Sequence, residues 1–511
     1  MVGQVSSVLT STPSSATSAK RSGNRLLIIG IAAFAVAFGG WLAYLCLHME
    51  AWTLNMIDLS VYRSGGLIVR HVTEQVSHTG KVSRYYNSTA SPSPLYGWTR
   101  SGGKDSLQFT YTPFAAVAFV LVSFLSTGAS TVADTVVNFL ALLAASWFTL
   151  GGLAATGKVR LDRNAKIGVT LLATAAAIWT EPVFRDLYLG QINLILMAAI
   201  LWDLTQPDAS SAGSGGDDPP VPPRGFARYK GFLTGVAAGI KLIPLIYVPY
   251  LLLARKFRQA AMVIAGFVVT LLVGFAVIPK DSSKYWFGGI FYNGGRTGFT
   301  GWLGNQSLDG LITRLAGSIH AGRPFYYVVA FVVLVAGVAA AALLDRAGHL
   351  LPAILLAELT GDLISPISWD HHWVWIAPAM TVAGWYAWRA WQQGLKRRAY
   401  AVAGSLLAIL VVFAAWPGSW YGMKMWEIVT KTGTNGQTFY WGWIWYAPNS
   451  NPFTTYYKHG DQPGYVEYHW HGLELLAGNA YVFGGLLAFA GLVLAAIIPA
   501  WRARTRPSRA S

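Results

Sequence analysis

Six short stretches of this sequence place polar side chains among apolar ones, in combinations that could carry chemistry. In MIDLSVYRSGG, residues 56–66, Asp58 and Tyr62 stand four apart and share a face if the segment is helical, with Arg63 adjacent. A carboxylate partly desolvated at a membrane–water boundary has its pKa lifted toward the working range of a general base. In LQFTYTPF, residues 107–114, Tyr111 precedes a helix start marked by Pro113. In LYLGQINLIL, residues 187–196, Gln191 and Asn193 are amides in an apolar run, suited either to a polar ligand or to interhelical hydrogen bonds. GIKLIPL, residues 239–245, carries Lys241 inside an apolar segment. Such a lysine is a functional candidate by default, with snorkelling to an interface as the competing reading. Pro244 argues for a broken helix whose interior faces a cavity.

The fifth stretch, LGNQSLDG at 303–310, offers Asn305 and Gln306, either in a turn or in a pocket. The sixth, SPISWDHHWVW at 365–375, is the most specific. Ser-Pro ends one apolar segment and the next begins within a few residues, so Asp370, His371 and His372 fall at one membrane face beside Trp369 and Trp373. Adjacent histidines rarely ligate one ion together, and no third nitrogen or sulfur ligand is evident, so no metal is expected. Hydrogen bonds to a phosphate or a sugar suit them better. Together these groups supply what transfer from a phosphate-linked glycosyl donor requires. A base takes the acceptor proton, Lys, Arg and His neutralise the leaving phosphate, and amides and tryptophans orient the sugar.

The elements that must position these residues are membrane helices. Of 511 residues, 54% are hydrophobic and 12% charged, against about 25% charged in soluble domains. A bilayer core needs roughly 20 apolar residues per helix. Twelve candidate segments meet or approach that length: 26–48, 110–127, 131–155, 166–180, 190–205, 231–254, 259–279, 325–345, 349–366, 371–391, 399–416 and 479–501. The predicted class is an all-α polytopic membrane protein with about twelve crossings.

Residues 1–25 read as a disordered cytoplasmic N-terminus, 26–501 as the transmembrane domain and 502–511 as a basic cytoplasmic tail. The first apolar run lacks a small-residue cleavage site and reads as an anchor. The single cysteine, Cys46, excludes an internal disulfide, and its place in an apolar helix suggests packing.

The net charge of +16 falls in short clusters between apolar segments, such as Arg255-Lys256-Arg258 and Lys396-Arg397-Arg398. That is the positive-inside pattern, and it implies anionic membrane lipids rather than nucleic acid as partners. With both termini inside, loops 49–109, 280–324 and 417–478 fall outside, and Gly/Ser/Pro-rich 206–230 is a flexible linker. Strict alternation would put the basic loop 156–166 outside, so one or two of the short segments within 110–205 are expected not to cross fully. Such breaks are tolerated where they line a cavity. There is no phosphate-binding GxxxxGK[ST] and no soluble nucleotide-binding unit, which argues against a nucleotide sugar as donor.

Taken in order, MIDLSVYRSGG, TYTPF, LGQINLIL, GIKLIPL, GNQSL and SPISWDHHW resemble the motifs of actinobacterial polyprenyl-phosphate-dependent glycosyltransferases of the GT-C superfamily. Within that group the chain is similar to the mycobacterial α-1,2-mannosyltransferases of phosphatidylinositol-mannoside synthesis. The resemblance covers about residues 50–375 and does not extend to the aromatic-rich loop 417–478.

It implies a GT-C fold with extended periplasmic loops in the inner (plasma) membrane. It further implies an inverting transferase that uses polyprenyl-phosphate-β-mannose at the periplasmic face and a phosphatidylinositol mannoside as acceptor, with no cofactor. The family's essential aspartate falls on Asp58, implying the catalytic base. Tyr62, Arg63, Tyr111, Gln191, Asn193, Lys241, His371 and His372 carry over toward the donor's phosphate and sugar. Asn305, Gln306, Trp369 and Asp370 carry over toward the acceptor or pocket, Asp370 orienting a histidine.

Two alternatives stay open. A polyprenyl-phosphate-arabinose-dependent arabinofuranosyltransferase differs only in pocket shape. A lipid or sugar transporter would also be polytopic, but transporters commonly carry internal repeats, and none is visible in this sequence.

Overall fold

The computed structural model describes residues 13–47, 56–76, 82–86, 95–96, 108–157, 159, 161–207, 225–293, 296, 298, 300–414, 444, 457–459, 462–464, 468 and 470–505. Residues 1–12, most of the linker 206–230, much of loops 49–109 and 417–478, and the end of the basic tail lie outside these.

Helices form in each of the twelve apolar segments. In chain order they are α1 (Pro13–Leu47), α2 (Ile57–Val69), α3 (Pro113–Ala118), α4 (Val120–Ser123), α5 (Thr127–Thr156), α6 (Arg163–Ile178), α7 (Glu181–Leu189) and α8 (Asn193–Leu204). There follow α9 (Phe232–Ile240), α10 (Tyr247–Leu253), α11 (Phe257–Val277), α12 (Pro279–Phe287), α13 (Leu308–Ala316), α14 (Ile319–Arg346), α15 (Leu350–Ile364), α16 (Ile376–Gln392), α17 (Lys396–Phe413), α18 (Gly472–Gly478) and α19 (Ala480–Thr505). Two short antiparallel hairpins, β1 (Val72–Val76) with β2 (Val82–Tyr86) and β3 (Tyr457–His459) with β4 (Gln462–Gly464), belong to the loops.

Twelve crossings are not all borne by single long helices among the described residues. Among the described residues, five helices are long and apolar enough to span a bilayer by themselves: Ser22–Tyr44, Thr127–Thr156, Phe257–Val277, Ile319–Arg346 and Ala480–Ile498. A sixth candidate is the α7–α8 pair, bent by 116°. The remaining helices are shorter or, like α17 with Lys396, Arg397 and Arg398 in its first turn, carry charge within the run. The protein is thus a multi-pass, helical membrane protein built partly from broken helices.

Helix α1 runs along α6, and their backbones meet where Gly30 faces Gly168, so a side chain at either position would strike the opposing main chain. Small residues at such crossings let two helices pack closely without help from the hydrophobic effect. Cys46 lies on an exposed face of α1, so the packing role expected for it is not seen.

Three interruptions have local causes. Gly190 takes φ +68°, closes α7 in the left-handed region and turns the chain into α8. Pro244 lacks the N–H that would donate to Ile240, so α9 ends at Ile240, Lys241 is extended (φ −125°, ψ 129°), and Ile243–Ile246 form a 3-10 turn before α10. Ser365-Pro366 end α15, and Asp370–Trp375 form a second 3-10 turn that leads into α16.

Candidate active site

All three breaks open onto one cavity of about 650 Å³, whose other walls are the start of α2 and the extended segment before α3. Each element brings one side chain of interest to its wall. Asp58 stands in the first turn of α2, Tyr111 just before Thr112, the cap of α3, Gln191 in the α7–α8 bend, and Lys241 in the α9 break. Trp369, Asp370, His371 and His372 come from the turn after α15.

The polar wall is a connected network. The Tyr62 hydroxyl donates to Gln191 Oε1 at 2.6 Å and shares a 2.7 Å hydrogen bond with the Tyr111 hydroxyl. With its oxygen so engaged, the Gln191 amide turns its N–H groups to the cavity wall, where they favour the charged form of the Asp58 carboxylate. Burial pushes the Asp58 carboxyl above its ordinary value, while His371, Gln191, Lys241 and Arg185 oppose the rise. Lys241 Nζ donates to Asn193 Oδ1 at 2.5 Å. Asn193 in turn donates to Asp186 Oδ1 at 2.7 Å and to the His371 carbonyl at 3.0 Å.

On the far side, Arg185 Nε donates to Asp370 Oδ2 at 3.0 Å, and Asp370 Oδ1 lies 3.0 Å from His371 Nδ1. Glu181 lies 3.9 Å from Arg185 and accepts the Tyr481 hydroxyl at 2.7 Å. His371 Nε2 and His372 Nδ1 are buried with no hydrogen-bond partner among the described residues. Trp302 and Trp369 meet edge to face, centroids 5.2 Å apart, and form an aromatic wall. Among the described residues no group of three or more His, Cys, Asp or Glu is placed to hold a metal ion.

Five of the expected site residues do not line the cavity. Tyr62 is buried one layer behind Gln191, and Asn193 sits behind Lys241, so both act on residues that do line it. Arg63 is turned away and donates to the Leu125 carbonyl at 3.0 Å. Five residues along a helix is about 140° of rotation, so adjacency to Tyr62 in sequence puts Arg63 on a different face from Asp58.

Asn305 and Gln306 are fully buried and structural. Asn305 donates to Thr300 and Pro366 carbonyls and accepts the Ser368 N–H at 2.9 Å; Gln306 donates to Leu303 and Gly478 carbonyls. They tie the 300–307 loop to the 365–370 turn and so hold Trp369 in place.

Sequence reasoning missed Arg185, Arg296 and Trp302 on the wall, and the buried acids Asp186, Glu358 and Asp362 near Lys241. For four of these residues the signal exists. Arg185-Asp186 is a charged pair between apolar runs, and Glu358 with Asp362 stand four apart inside one. Neither is affordable in a membrane protein without buried partners.

The model of glycosyltransferase family 87 matches residues 109–366, the stretch that supplies most of the cavity wall. A second comparison agrees. The chain is 31% identical, over 405 residues, to a Mycobacterium tuberculosis protein (strain CDC 1551 / Oshkosh) named polyprenol-phosphate-mannose-dependent alpha-(1-2)-phosphatidylinositol pentamannoside mannosyltransferase; the match covers 77% of this chain and 80% of that protein. The chain belongs to glycosyltransferase family 87.

A further relative from Mycobacterium tuberculosis (strain ATCC 25618 / H37Rv) is named polyprenol-phosphate-mannose-dependent alpha-(1-2)-phosphatidylinositol mannoside mannosyltransferase; it is 32% identical across 56% of this chain and 64% of its own. A protein of the same name from Mycolicibacterium smegmatis is 30% identical across 65% of this chain and 70% of its own. No solved structure matches. As a member of family 87 the chain is a membrane glycosyltransferase, and its chemistry must be sought in the cavity, where its charged and amide side chains converge.

Proposed function

We propose that this family 87 enzyme is a mannosyltransferase that takes mannose from polyprenyl-phosphate-β-mannose and forms an α-1,2 linkage on a phosphatidylinositol mannoside, with Asp58 as general base. The observation that carries the reading is the half-buried Asp58 carboxylate, which faces the same cavity as Gln191, Arg185, Lys241 and two histidines with unpartnered ring nitrogens. The relatives' names supply donor and acceptor.

In this reading the acceptor hydroxyl oxygen attacks the anomeric carbon and its proton passes to Asp58. The bond from that carbon to the phosphate oxygen breaks with its electron pair on the phosphate. His371, oriented by Asp370, donates from Nε2 toward the developing phosphate charge. One base suits a single displacement with inversion, whereas retention would ask for a second carboxylate as nucleophile. Asp370 is the nearby alternative, and its two oxygens are already engaged with Arg185 and His371.

In this reading the polyprenyl tail runs along the apolar part of the cavity lining, which includes Ile57, Val61, Ile240, Leu242 and Ile243. The positive-inside distribution supports a site at the outer face of the plasma membrane, within a GT-C architecture.

The test uses purified protein with polyprenyl-phosphate-mannose, polyprenyl-phosphate-arabinose and GDP-mannose as donors, a phosphatidylinositol tetramannoside as acceptor, and Asp58→Asn beside the wild type. Mannose transfer from the lipid-linked donor alone, reduced about 10²- to 10⁴-fold by Asp58→Asn, is the expected result. Transfer by Asp58→Asn at the wild-type rate sinks the base assignment. Activity with the arabinose donor alone moves the enzyme to the arabinofuranosyl branch.

A further inference from the structure

The cations of the cavity are unequal in their commitments. Arg185 is an ion-paired residue, 3.0 Å from Asp370 and 3.9 Å from Glu181. His371 shares Asp370 with it. Lys241 donates to Asn193 at 2.5 Å and lies in the field of Asp186, Asp362, Asp58 and Glu358. Protein carboxylates therefore already oppose each of the deep cations, and a phosphate arriving beside them gains little net attraction until those carboxylates are neutralised.

Arg296 differs. It lines the same cavity from the segment after α12, on the side of Tyr285 and Gly298. Its Nη2 donates to the Tyr96 carbonyl at 3.1 Å, and its guanidinium carbon stands 5.8 Å from the Tyr96 ring centroid. Its Nε is buried and without a hydrogen-bond partner, and among the described residues it makes no ion pair. The platform beneath it is fixed, since Asp281 accepts the Leu95 N–H at 3.0 Å and Tyr96 packs on Tyr285 with centroids 5.2 Å apart. A held guanidinium with an unpaired N–H and, among the described residues, no carboxylate partner is suited to an oxyanion of a phosphate ester, which it can grip with two parallel hydrogen bonds.

We infer that Arg296, rather than Lys241, is the principal anchor of the donor's phosphate; the inference rests on the mannosyl-phosphate reading above. Two phosphates exist in that reaction. The donor's phosphate is bonded to the reacting anomeric carbon and must share the cavity with Asp58. The acceptor's phosphodiester is separated from the attacking hydroxyl by inositol and the mannose chain, which carry it away from Asp58. Lys241, matched by its carboxylates, instead fixes Asn193 and the turn that carries His371.

The experiment compares Arg296→Gln, Arg296→Lys and Lys241→Met with wild type in lipid nanodiscs. It measures KM for polyprenyl-phosphate-mannose and for acceptor, kcat, and inhibition by the product polyprenyl phosphate. Arg296→Gln is expected to raise the donor KM and the inhibition constant of polyprenyl phosphate together, about 10- to 100-fold, with acceptor KM unchanged. Arg296→Lys should recover part of the loss, because the charge remains while the fork is lost. Lys241→Met should lower kcat with a smaller effect on donor KM.

A rise in acceptor KM alone would assign Arg296 to the acceptor and overturn the proposal. Unchanged kinetics in Arg296→Gln would reduce Arg296 to a clamp on Tyr96 and overturn it as well. A wild-type enzyme that transfers no mannose from the lipid donor would instead overturn the functional reading on which the inference stands.

Discussion

Removing a single oxygen, in Tyr62→Phe, tests the hydrogen-bond chain that poises Asp58. The ring is held independently of its hydroxyl, stacked on Phe119 at 4.3 Å and 14° and edge-on to Tyr111, so the fold should survive. The hydroxyl makes two short bonds, to Gln191 Oε1 at 2.6 Å and to the Tyr111 hydroxyl at 2.7 Å. After its loss, Gln191 Oε1 keeps only the 3.3 Å contact from Tyr111. Nothing short then prevents the amide from rotating and turning its oxygen toward the Asp58 carboxylate.

A hydrogen bond to a charged group is worth about 1.5–3 kcal/mol, and 1.36 kcal/mol corresponds to one pH unit. A partial loss of the Gln191 bond should therefore raise the Asp58 carboxyl by about one unit beyond its already elevated position. The sign follows from the mechanism. A base works when deprotonated, so kcat/KM falls as pH drops through its pKa, and a higher pKa moves this acid limb upward. The assay is kcat/KM for mannosyl transfer against pH, for wild type, Tyr62→Phe and Tyr111→Phe. The expectation is an acid limb about one unit higher in Tyr62→Phe and a smaller displacement in Tyr111→Phe. Superimposable profiles, with equal plateaus, would refute the coupling of Tyr62 to Asp58 through Gln191.

Three other perturbations separate structure from chemistry. Gly190→Ala puts a methyl in the left-handed region, 2.7 Å from Leu59 Cβ and 2.8 Å from Met56 Sδ; strain and overpacking should cost about 2–4 kcal/mol and displace the start of α2, lowering both melting temperature and kcat. Arg185→Leu leaves Asp370 and Glu181 buried without their cation and should destabilise by about 3–5 kcal/mol in detergent unfolding, an effect that a second change, Glu181→Gln, should partly relieve. Asn305→Ala removes three buried hydrogen bonds and should cost about 2–4 kcal/mol, read as a lower melting temperature, and by loosening the turn that carries Trp369 should also raise donor KM in the surviving folded enzyme.

What the sequence makes legible follows from what membranes punish. Apolar runs must be helical, because an unsatisfied backbone in hydrocarbon is costly, so all twelve segments contain helix. The number of crossings is not legible, since a fifteen-residue helix such as α15 reads the same whether it spans, bends or ends inside the protein. Proline and glycine announce two of the breaks, at Pro244 and Gly190, and Ser365-Pro366 announces the third. The facing of a side chain is only half legible. Periodicity puts Tyr62 on the side of Asp58, but nothing local reveals that Asn305 and Gln306 spend their amides on loop carbonyls. Arg296 is illegible for a different reason: its partner, the Tyr96 carbonyl, lies 200 residues away in sequence and carries no side-chain signature.

The convergence of the breaks on one cavity has a physical reason that also constrains the chemistry. Each interruption frees backbone groups, and in a membrane these must be met by polar side chains or a water-filled space. Asn193 spends a donor on the His371 carbonyl and Thr112 hydroxyl donates to the Gly239 carbonyl, each at an interrupted helix. The amides and hydroxyls that repair the backbone are thus already concentrated where a polar ligand can enter. Charges can then be added there in pairs, as with Arg185 and Asp370, without meeting lipid. It follows that a mutation closing a break, such as replacing Pro244 with a helix former, would not merely straighten α9 and α10. It would withdraw Lys241 from Asn193, release the turn that carries His371, and remove the partners Asp186 relies on. Loss of activity should therefore accompany any gain in helix content, and an active, straightened variant would contradict the link between broken helices and the site.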